Sequence, residues 1–330
     1  MKELAKMYVN LQLFAELNTN VTSDAGMSVE MKTFYDMTLI DMATPNLVHD
    51  QFGQKRPIPA NGGKKIEFRK FASLPKALTA LTEGVTPDGK KLTAEKIEAE
   101  VAQYGDYIVQ SDVLELTTID NTIVEATKVL GNQAGLTLDT ITRNVMQSGT
   151  NVWYAPKADG TEVTSRSALD ATCKLTVDLV KLVVADLKAN NAPKINGDYV
   201  AIIHPYVAYD LMSDPEWIDA HKYATPENIY EGEIGKIAGV RFVETSEAKV
   251  YEGGVFGCLF IADGAYGVTE ITGGGLQTII KQKGSAGTAD PLDQRSSIGW
   301  KAMKTAEILV DPYMIRVECK SKLSAKANVN

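Results

Sequence analysis

The residues best suited to chemistry in this sequence are its histidines, because histidine changes charge near neutral pH and binds metals. They are His49, His204 and His221. The last two share a short stretch with three aspartates, Asp210, Asp214 and Asp219, a composition that suits acid–base or metal chemistry. The two histidines do not stand one helical turn apart, as those of a zinc-binding helix do. We therefore predict no metal site, and a partly buried His204 with satisfied hydrogen bonds.

The motifs for a nucleophile or a phosphate loop are incomplete. Ser285 lies in the tetrapeptide GSAG, which lacks the Gly-x-Ser-x-Gly pattern of a nucleophile elbow. The glycine triplet at 273–275 lacks the Lys-Ser/Thr ending of a phosphate-binding loop. The 42 acidic residues include no marked pair, so solvated surface is the simpler interpretation. The sequence predicts no catalytic residue and no cofactor, and a protein that is not an enzyme.

The overall charge narrows the possible partners. A net charge of −8 over 330 residues argues against binding nucleic acid through its phosphates, which requires clustered Lys and Arg. The basic residues Lys64, Lys65, Arg69 and Lys70 lie in an alternating segment and predict the solvated face of a strand. Three cysteines without paired spacing predict buried thiols in a reducing compartment. No apolar run is long enough to cross a bilayer, so we expect no membrane partner.

The elements that would position these residues are organised around a helical pattern at 120–149. Its apolar residues recur at steps of three or four and line one face: Ile123, Ala126, Leu130, Ala134, Leu138, Ile141 and Val145. We expect Asp120 to cap the free N–H groups at the start, and Gly149 to end the helix in the left-handed conformation. Because a β-rich stretch precedes it and an α/β block follows it, this helix is predicted to be a spine for the whole chain.

A long two-stranded ribbon is predicted before the spine. Residues 64–71 alternate between apolar and charged, as a strand with one solvated face does. Turn signals follow, ending in Pro-Asp-Gly at 87–89. Residues 93–109 fit a helix or a strand, and pairing with 64–71 favours the strand. Such a ribbon has no core of its own, so we expect it to lie on this chain's body or on another copy.

A mixed α/β domain is predicted after the spine. Helices are expected at 176–190 and 205–212, with a short one earlier within 28–48, and strands at 199–204, 240–244, 255–262 and 276–281. The almost unbroken apolar run at 255–262 is typical of a strand in the middle of a sheet. Two closing strands, 298–310 and 313–320, are separated by a turn and are expected to return to the spine.

Several segments are similar to a known family. They read NLQLFA at 10–15, HDQFGQ at 49–54, LTEGVTPDG at 81–89, YGDY at 104–107 and GSAGTADPLDQR at 284–295. The first resembles a common opening of phage structural proteins. The other four resemble stretches of the N4-type major capsid proteins of tailed bacteriophages. The resemblance extends over nearly the whole chain from residue 28 to residue 320.

The resemblance implies an α+β protein with the Hong Kong 97-type capsid fold. Residues 1–54 would form an N-terminal arm, and residues 55–107 an extended β loop that reaches over a neighbouring subunit. Residues 108–166 would form a peripheral domain built on the spine helix, and residues 167–295 an α/β axial domain that meets its copies at five- and six-fold centres. Residues 296–330 would supply closing strands of the peripheral domain and a C-terminal tail.

The resemblance also implies a function. Copies would assemble as pentamers and hexamers into an icosahedral shell that encloses phage double-stranded DNA without sequence-specific binding. The expected partners are a separate scaffolding protein, a portal protein and a decoration protein. The protein would be made in the cytoplasm of the bacterial host and end in the virion. The residues expected at contacts between subunits are Phe52, Arg69, Glu83, Asp88, Tyr104, Asp290 and Arg295.

Three other interpretations stay open at this point. One is an encapsulin-like compartment, a non-viral shell of the same fold that holds enzyme cargo. Another is a hydrolase that uses His204 or His221. The third is a binding module that stays a compact monomer at every concentration.

Overall fold

The computed structural model describes residues 39, 42–43, 47–57, 63–71, 74–81, 83–84, 86, 88–117, 122–222, 233–270, 275–285 and 290–330. Most of the predicted N-terminal arm, 1–54, lies outside these residues, and so does most of the short helix predicted within 28–48. Leu39, Met42 and Ala43 from that stretch are helical.

The described chain mixes helices and strands. The helices are α1 Asp112–Thr117, α2 Thr122–Met146, α3 Val177–Ala189, α4 Pro205–Met212 and α5 Pro215–Lys222, with short 3-10 turns at Arg166–Ala168, Asp311–Tyr313 and Ser324–Lys326. The strands are β1 Gln54–Lys55, β2 Lys65–Phe71, β3 Ala94–Glu100, β4 Ala102–Ser111, β5 Val152–Tyr154, β6 Tyr199–Ile203, β7 Glu233–Ile237, β8 Val240–Glu244, β9 Val250–Tyr251, β10 Val255–Ile261, β11 Tyr266–Glu270, β12 Gln277–Lys281, β13 Arg295–Ile308 and β14 Met314–Cys319. Within the described ranges they form a five-stranded sheet, a seven-stranded sheet and a two-stranded ribbon.

The spine helix α2 packs on the five-stranded sheet. The 14-residue strand β13 is the centre of this sheet and pairs with β4 along one edge and with β11 and β12 along the other. Leu130, Ala134 and Leu138 of α2 are buried against Ile298 and Trp300 of β13. Burial of this apolar face supplies most of the stability of such a helix. The helix predicted at 120–149 is confirmed, two or three residues shorter at each end, and it runs without a break through Gly131 and Gly135.

Two glycines of the spine are explained by their surroundings. Gly149 does not take the left-handed conformation predicted for the helix end; instead Ser148 and Gly149 donate backbone N–H bonds to Val145 and Met146. Gly131 lies inside α2, where glycine ordinarily costs about 1 kcal/mol relative to alanine. A Cβ at Gly131 would lie 2.8 Å from the Leu39 carbonyl oxygen. Glycine is needed there because the segment at Leu39 crosses the helix closely.

The seven-stranded sheet forms the second half of the fold. Its order is β5-β14-β10-β6-β8-β7, with β9 added to β10. All seven residues of β10 are buried, which confirms the strand predicted in the middle of a sheet. Helix α3 covers the sheet with six buried residues, and the Thr176 hydroxyl accepts the Leu179 N–H and so caps the start of the helix. Helix α4 and the strands predicted at 199–204, 240–244, 276–281 and 313–320 lie within one residue of their expected limits. The strand predicted at 298–310 spans Arg295–Ile308 instead, and the segment predicted as one strand at 93–109 forms two strands, β3 and β4.

The two closing strands belong to different sheets. Strand β13 lies under the spine, whereas β14 pairs with β10 and β5 in the seven-stranded sheet. Strand β14 still reaches the spine, because the Arg316 guanidinium donates to the carbonyls of Gln147 and Gly149 at the end of α2. Strands β11 and β12, from the predicted axial region, pair with β13 instead. The domain limits drawn from the sequence stay a prediction.

Candidate functional site

The ribbon of β2 and β3 is anchored at its base on the body of the same chain. Its register places Phe68 opposite Ile97 and Ile66 opposite Ala99. Phe68 is 3% exposed, and its ring packs against Gly267 of β11, where a Cβ would lie 2.9 Å from the ring. The Arg56 guanidinium lies 5.8 Å from the centre of the same ring. The solvated face carries diagonal ion pairs, including Lys96 with Glu67 at 3.2 Å.

The tip of the ribbon differs from its base in the residues that the structure describes there. Every described residue from 74 to 94 is exposed. Leu78 and Leu81 are 86% and 77% exposed, and Leu74 and Leu92 are more than half exposed. Single exposed leucines are ordinary, but four exposed leucines in one short segment leave apolar side chains that a binding partner could cover. The ribbon therefore has a fixed base and an unburied apolar tip.

A buried polar cluster holds the segment that leads into the ribbon. We define this cluster as His49, Asp50, Asp139, Thr142, Tyr266 and Lys304. The His49 backbone N–H donates to Asp139 at 2.7 Å, and its Nδ1 lies 2.6 Å from the other oxygen of that carboxylate. Thr142 donates to Asp50 at 2.5 Å, and Lys304 pairs with Asp50 and donates to the Leu138 carbonyl at 3.0 Å. Each charged group is paired, as burial requires.

The rest of the HDQFGQ segment is fixed by β11. The Tyr266 hydroxyl donates to the His49 carbonyl. Burial raises the pKa of Tyr266 well above its ordinary value, and the Asp50 carboxylate raises it further. A Cβ at Gly53 would lie 2.6 Å from the Tyr266 ring, so only glycine fits there. Gln54 of β1 then pairs with Gly267 of β11, and this strand pairing fixes the chain just before the ribbon.

The YGDY segment joins β4 to the spine. Asp106 accepts a hydrogen bond from the Gln133 amide at 2.6 Å, and Gln133 accepts one from the Trp300 indole at 3.3 Å. The bond from Gln133, and then the Tyr107 backbone N–H, lower the pKa of Asp106. Gly105 is required because a Cβ would lie 2.5 Å from the Trp300 carbonyl oxygen. This motif therefore joins helix α2 to strands β4 and β13.

The structure distributes the predicted contact residues over three environments. Phe52 and Tyr104 pack against the chain's own core clusters. Asp290 is buried and accepts the Arg295 backbone N–H at 2.8 Å, while the Arg295 side chain is 59% exposed beside it. Glu83 and Asp88 are exposed at the ribbon tip. Arg69 lies in β2, and its side chain is outside the described residues. Their role between subunits stays a prediction.

The residues suited to chemistry take structural roles where they are described. His204 is partly buried, as predicted: its Nδ1 accepts the Tyr206 N–H at 3.1 Å and caps α4. Burial lowers its pKa. The His221 side chain is outside the described residues. All three cysteines are free and buried, as predicted, and Cys258 and Cys319 have their sulfurs 3.8 Å apart.

In the part of the chain that the structure describes, no three His, Cys, Asp or Glu side chains gather closely enough to hold a metal ion. None of the helices described there combines the length and apolar character needed to traverse a bilayer.

Sequence reasoning missed two features. The first is the group of tip leucines, whose signal is visible in the sequence: leucines within a turn-rich, polar segment with no alternating pattern. The ion pair of Asp50 with Lys304 has no such signal, because the two residues are 254 positions apart.

Solved phage capsids share this fold. The chain is 15% identical to the capsid protein of cyanophage P-SCSP1u, with a TM-score of 0.64 over 84% of this chain and 89% of that one. It is 14% identical to the capsid of Ralstonia phage GP4, with a TM-score of 0.63 over 83% and 88%. A virus-like particle from Pyrococcus furiosus is 11% identical, with a TM-score of 0.51 over 87% and 99%. These similarities confirm the predicted Hong Kong 97-type capsid fold.

The sequence itself carries the family signal. No curated protein matches the sequence. The family described as phage capsid protein matches residues 102–266, which is half of the chain. This match includes β4, the spine helix and most of the seven-stranded sheet. The chain therefore belongs to the phage capsid protein family.

Proposed function

We propose that this protein is a major capsid protein of the N4-type family, whose copies assemble as pentamers and hexamers into an icosahedral shell around double-stranded phage DNA. The observation that carries the proposal is the ribbon with an anchored base and an exposed leucine tip. Membership of the phage capsid family supports assembly into a shell. The leucine tip supports a contact between copies, because it is apolar surface that the subunit does not bury itself.

The physical argument concerns the tip leucines. Burying a leucine side chain fully contributes about 1.5–3 kcal/mol relative to leaving it exposed. Leu78 and Leu81 gain almost none of this within one subunit. A ribbon fixed at its base is held in an extended orientation, so it reaches a neighbouring copy with little further loss of conformational entropy. We propose that Glu83 and Asp88, at the same tip, lie at this contact.

The remaining parts of the proposal follow from charge and family. A net charge of −8 reduces adhesion of packaged DNA to the shell. A separate scaffolding protein would direct assembly, a portal protein would occupy one vertex, and a decoration protein would bind the outer surface. Synthesis takes place in the cytoplasm of the bacterial host and the mature protein resides in the virion. The protein acts as a structural subunit and not as an enzyme.

A non-viral compartment is the second candidate, since a virus-like particle from Pyrococcus furiosus has a related fold. The two candidates differ in their contents. Particles purified from infected cells would hold phage DNA in the first case, and enzyme cargo identifiable by mass spectrometry in the second.

The test is assembly of the purified protein, followed by electron microscopy and light scattering. We expect the native protein to form uniform shells, with scaffolding protein present. The double variant Leu78→Ser, Leu81→Ser should fold normally by circular dichroism and require about tenfold more protein, or more, for half-assembly. Leu182→Ser is the matched control, since Leu182 is half exposed on α3, a helix that packs on the seven-stranded sheet. A native protein that remains monomeric at every concentration, or a double variant that assembles normally, would contradict the proposal.

A further inference from the structure

A basic cleft lies beside the seven-stranded sheet, away from the ribbon. Its volume is about 770 Å³, within the range of small-ligand sites. Its charged lining residues are Arg166, Lys249, Lys320 and Glu252, and its apolar wall includes Leu169 and Val255. A concave site with a few convergent charges and an apolar wall is suited to a small, charged group.

The cationic lining is built on a buried framework. Arg166 donates two hydrogen bonds to the fully buried Glu318 carboxylate, at 2.7 and 2.6 Å. Its guanidinium also stacks 3.5 Å from the centre of the Tyr251 ring. Tyr251 in turn donates to Gln147 at 3.0 Å. Arg166 is therefore held in one orientation while its side chain stays 40% exposed at the cleft.

Positive charge exceeds negative charge in and behind this cleft. The cations are Arg143, Arg166, Lys249, Arg316 and Lys320, and the carboxylates are Glu247, Glu252 and Glu318. These side chains leave two positive charges in excess. The backbone oxygen of Asn330 accepts a hydrogen bond from Lys249. Burial, and then the charges of Arg143 and Arg166, lower the pKa of Lys249. The cleft is therefore locally positive, although the net charge of the whole chain is −8.

Lys320 is the residue that points most directly to a ligand. It lines the cleft and is partly buried, yet within the described ranges its ammonium group has no ion pair or hydrogen bond. The other two cations at the surface of the cleft have partners, Glu318 for Arg166 and Asn330 for Lys249. An incoming anion would supply Lys320 with the partner that it lacks.

We propose that this cleft binds a phosphate group, carried by a small molecule or by a nucleic-acid strand, between Arg166, Lys249 and Lys320. Phosphate suits the site because guanidinium and ammonium groups bind its oxygens through short, charge-assisted hydrogen bonds. The apolar wall accommodates the group that carries the phosphate. The site lies on the subunit itself and does not depend on shell formation.

The test is calorimetric titration of the purified protein with inorganic phosphate at constant ionic strength. We expect saturable binding that weakens roughly fivefold or more in Lys320→Gln, which removes the unpaired cation. Lys249→Gln provides a second variant, and circular dichroism checks that both fold. The matched control is Lys188→Gln, since Lys188 is exposed on α3 and does not line the cleft. Its affinity should equal that of the native protein.

A second titration, with a short single-stranded DNA oligonucleotide, distinguishes the two sources. Displacement of the oligonucleotide by phosphate identifies a nucleic-acid strand as a ligand of the cleft. Phosphate binding without oligonucleotide binding identifies a small phosphorylated molecule. Absence of saturable phosphate binding in the native protein, or an equal loss in Lys188→Gln, overturns the proposal.

Discussion

The ammonium group of Lys304 and the carboxylate of Asp50 form an ion pair inside the protein, although the residues are 254 positions apart. Lys304 lies on β13 and is 2% exposed, and Asp50 lies in the segment that precedes the ribbon. Their contact ties the start of the ribbon to the centre of the five-stranded sheet. From the spine helix, Thr142 donates a hydrogen bond to Asp50, and the Leu138 carbonyl accepts one from Lys304.

Lys304→Met should destabilise the subunit by about 3–5 kcal/mol, because it leaves the Asp50 carboxylate buried without its counter-charge. The double variant Asp50→Leu, Lys304→Met should recover most of that loss, since it removes both charges. Urea unfolding of the unassembled subunit measures both values. Lys301→Met is the matched control on the same strand, where the side chain is partly exposed. Equal losses for Lys301→Met and Lys304→Met would contradict this role of the pair.

The sequence predicts elements well where the pattern is local. Thr176 and the apolar face behind it predict both ends of α3, and the stripe from Ile123 to Val145 predicts the spine. Prediction from the sequence fails where the contact that decides the structure joins residues far apart in the chain. Gly149 carries the usual signal of a left-handed helix end, but the end of α2 is held by Arg316 of β14. The ambiguous residues 93–109 form strands because β2 and β13 pair with them.

The residues of the candidate site also include some whose environment the sequence predicts and some whose environment it does not. Glu83 and Asp88 belong to a turn-rich segment, which the sequence correctly places at an exposed tip. Phe52 and Tyr104 belong to recognisable motifs, yet their side chains pack against the chain's own core. A family motif does not reveal whether its residues serve folding or contacts between subunits. Whether such a residue is buried within the subunit depends on strands that are remote in sequence.

Acidification should destabilise the protein through His204. Burial lowers the pKa of this imidazole from its ordinary value of 6.5, so the unfolded chain binds the proton more tightly than the folded one. The protein therefore loses stability as the pH falls below about 6.5, and this loss ends once the pH is below the pKa of His204 in the folded protein. His204→Asn keeps a cap for α4 but does not titrate, so its melting temperature should fall less between pH 7.5 and pH 5.5.

The native protein and His204→Asn share every other titrating group, so the difference between their pH profiles isolates His204. Parallel melting curves over this pH range would contradict the assignment. A variant that melts earlier at both pH values by the same amount would indicate a loss of packing against Phe256 rather than a loss of titration.

Phe68→Ala should release the base of the ribbon while the two larger sheets remain folded. Phe68 is the large side chain that β2 buries against β11, and replacing a buried phenylalanine by alanine costs about 3–5 kcal/mol. Hydrogen exchange followed by mass spectrometry should detect this as local opening, with β2 and β3 exchanging about a hundredfold faster or more. Lys65→Ala, on the solvated face of the same strand, should leave exchange unchanged. Faster exchange throughout the seven-stranded sheet would mean that the ribbon and the body unfold together. The base of the ribbon would then be part of one cooperative core, and not an anchor for a ribbon that opens on its own.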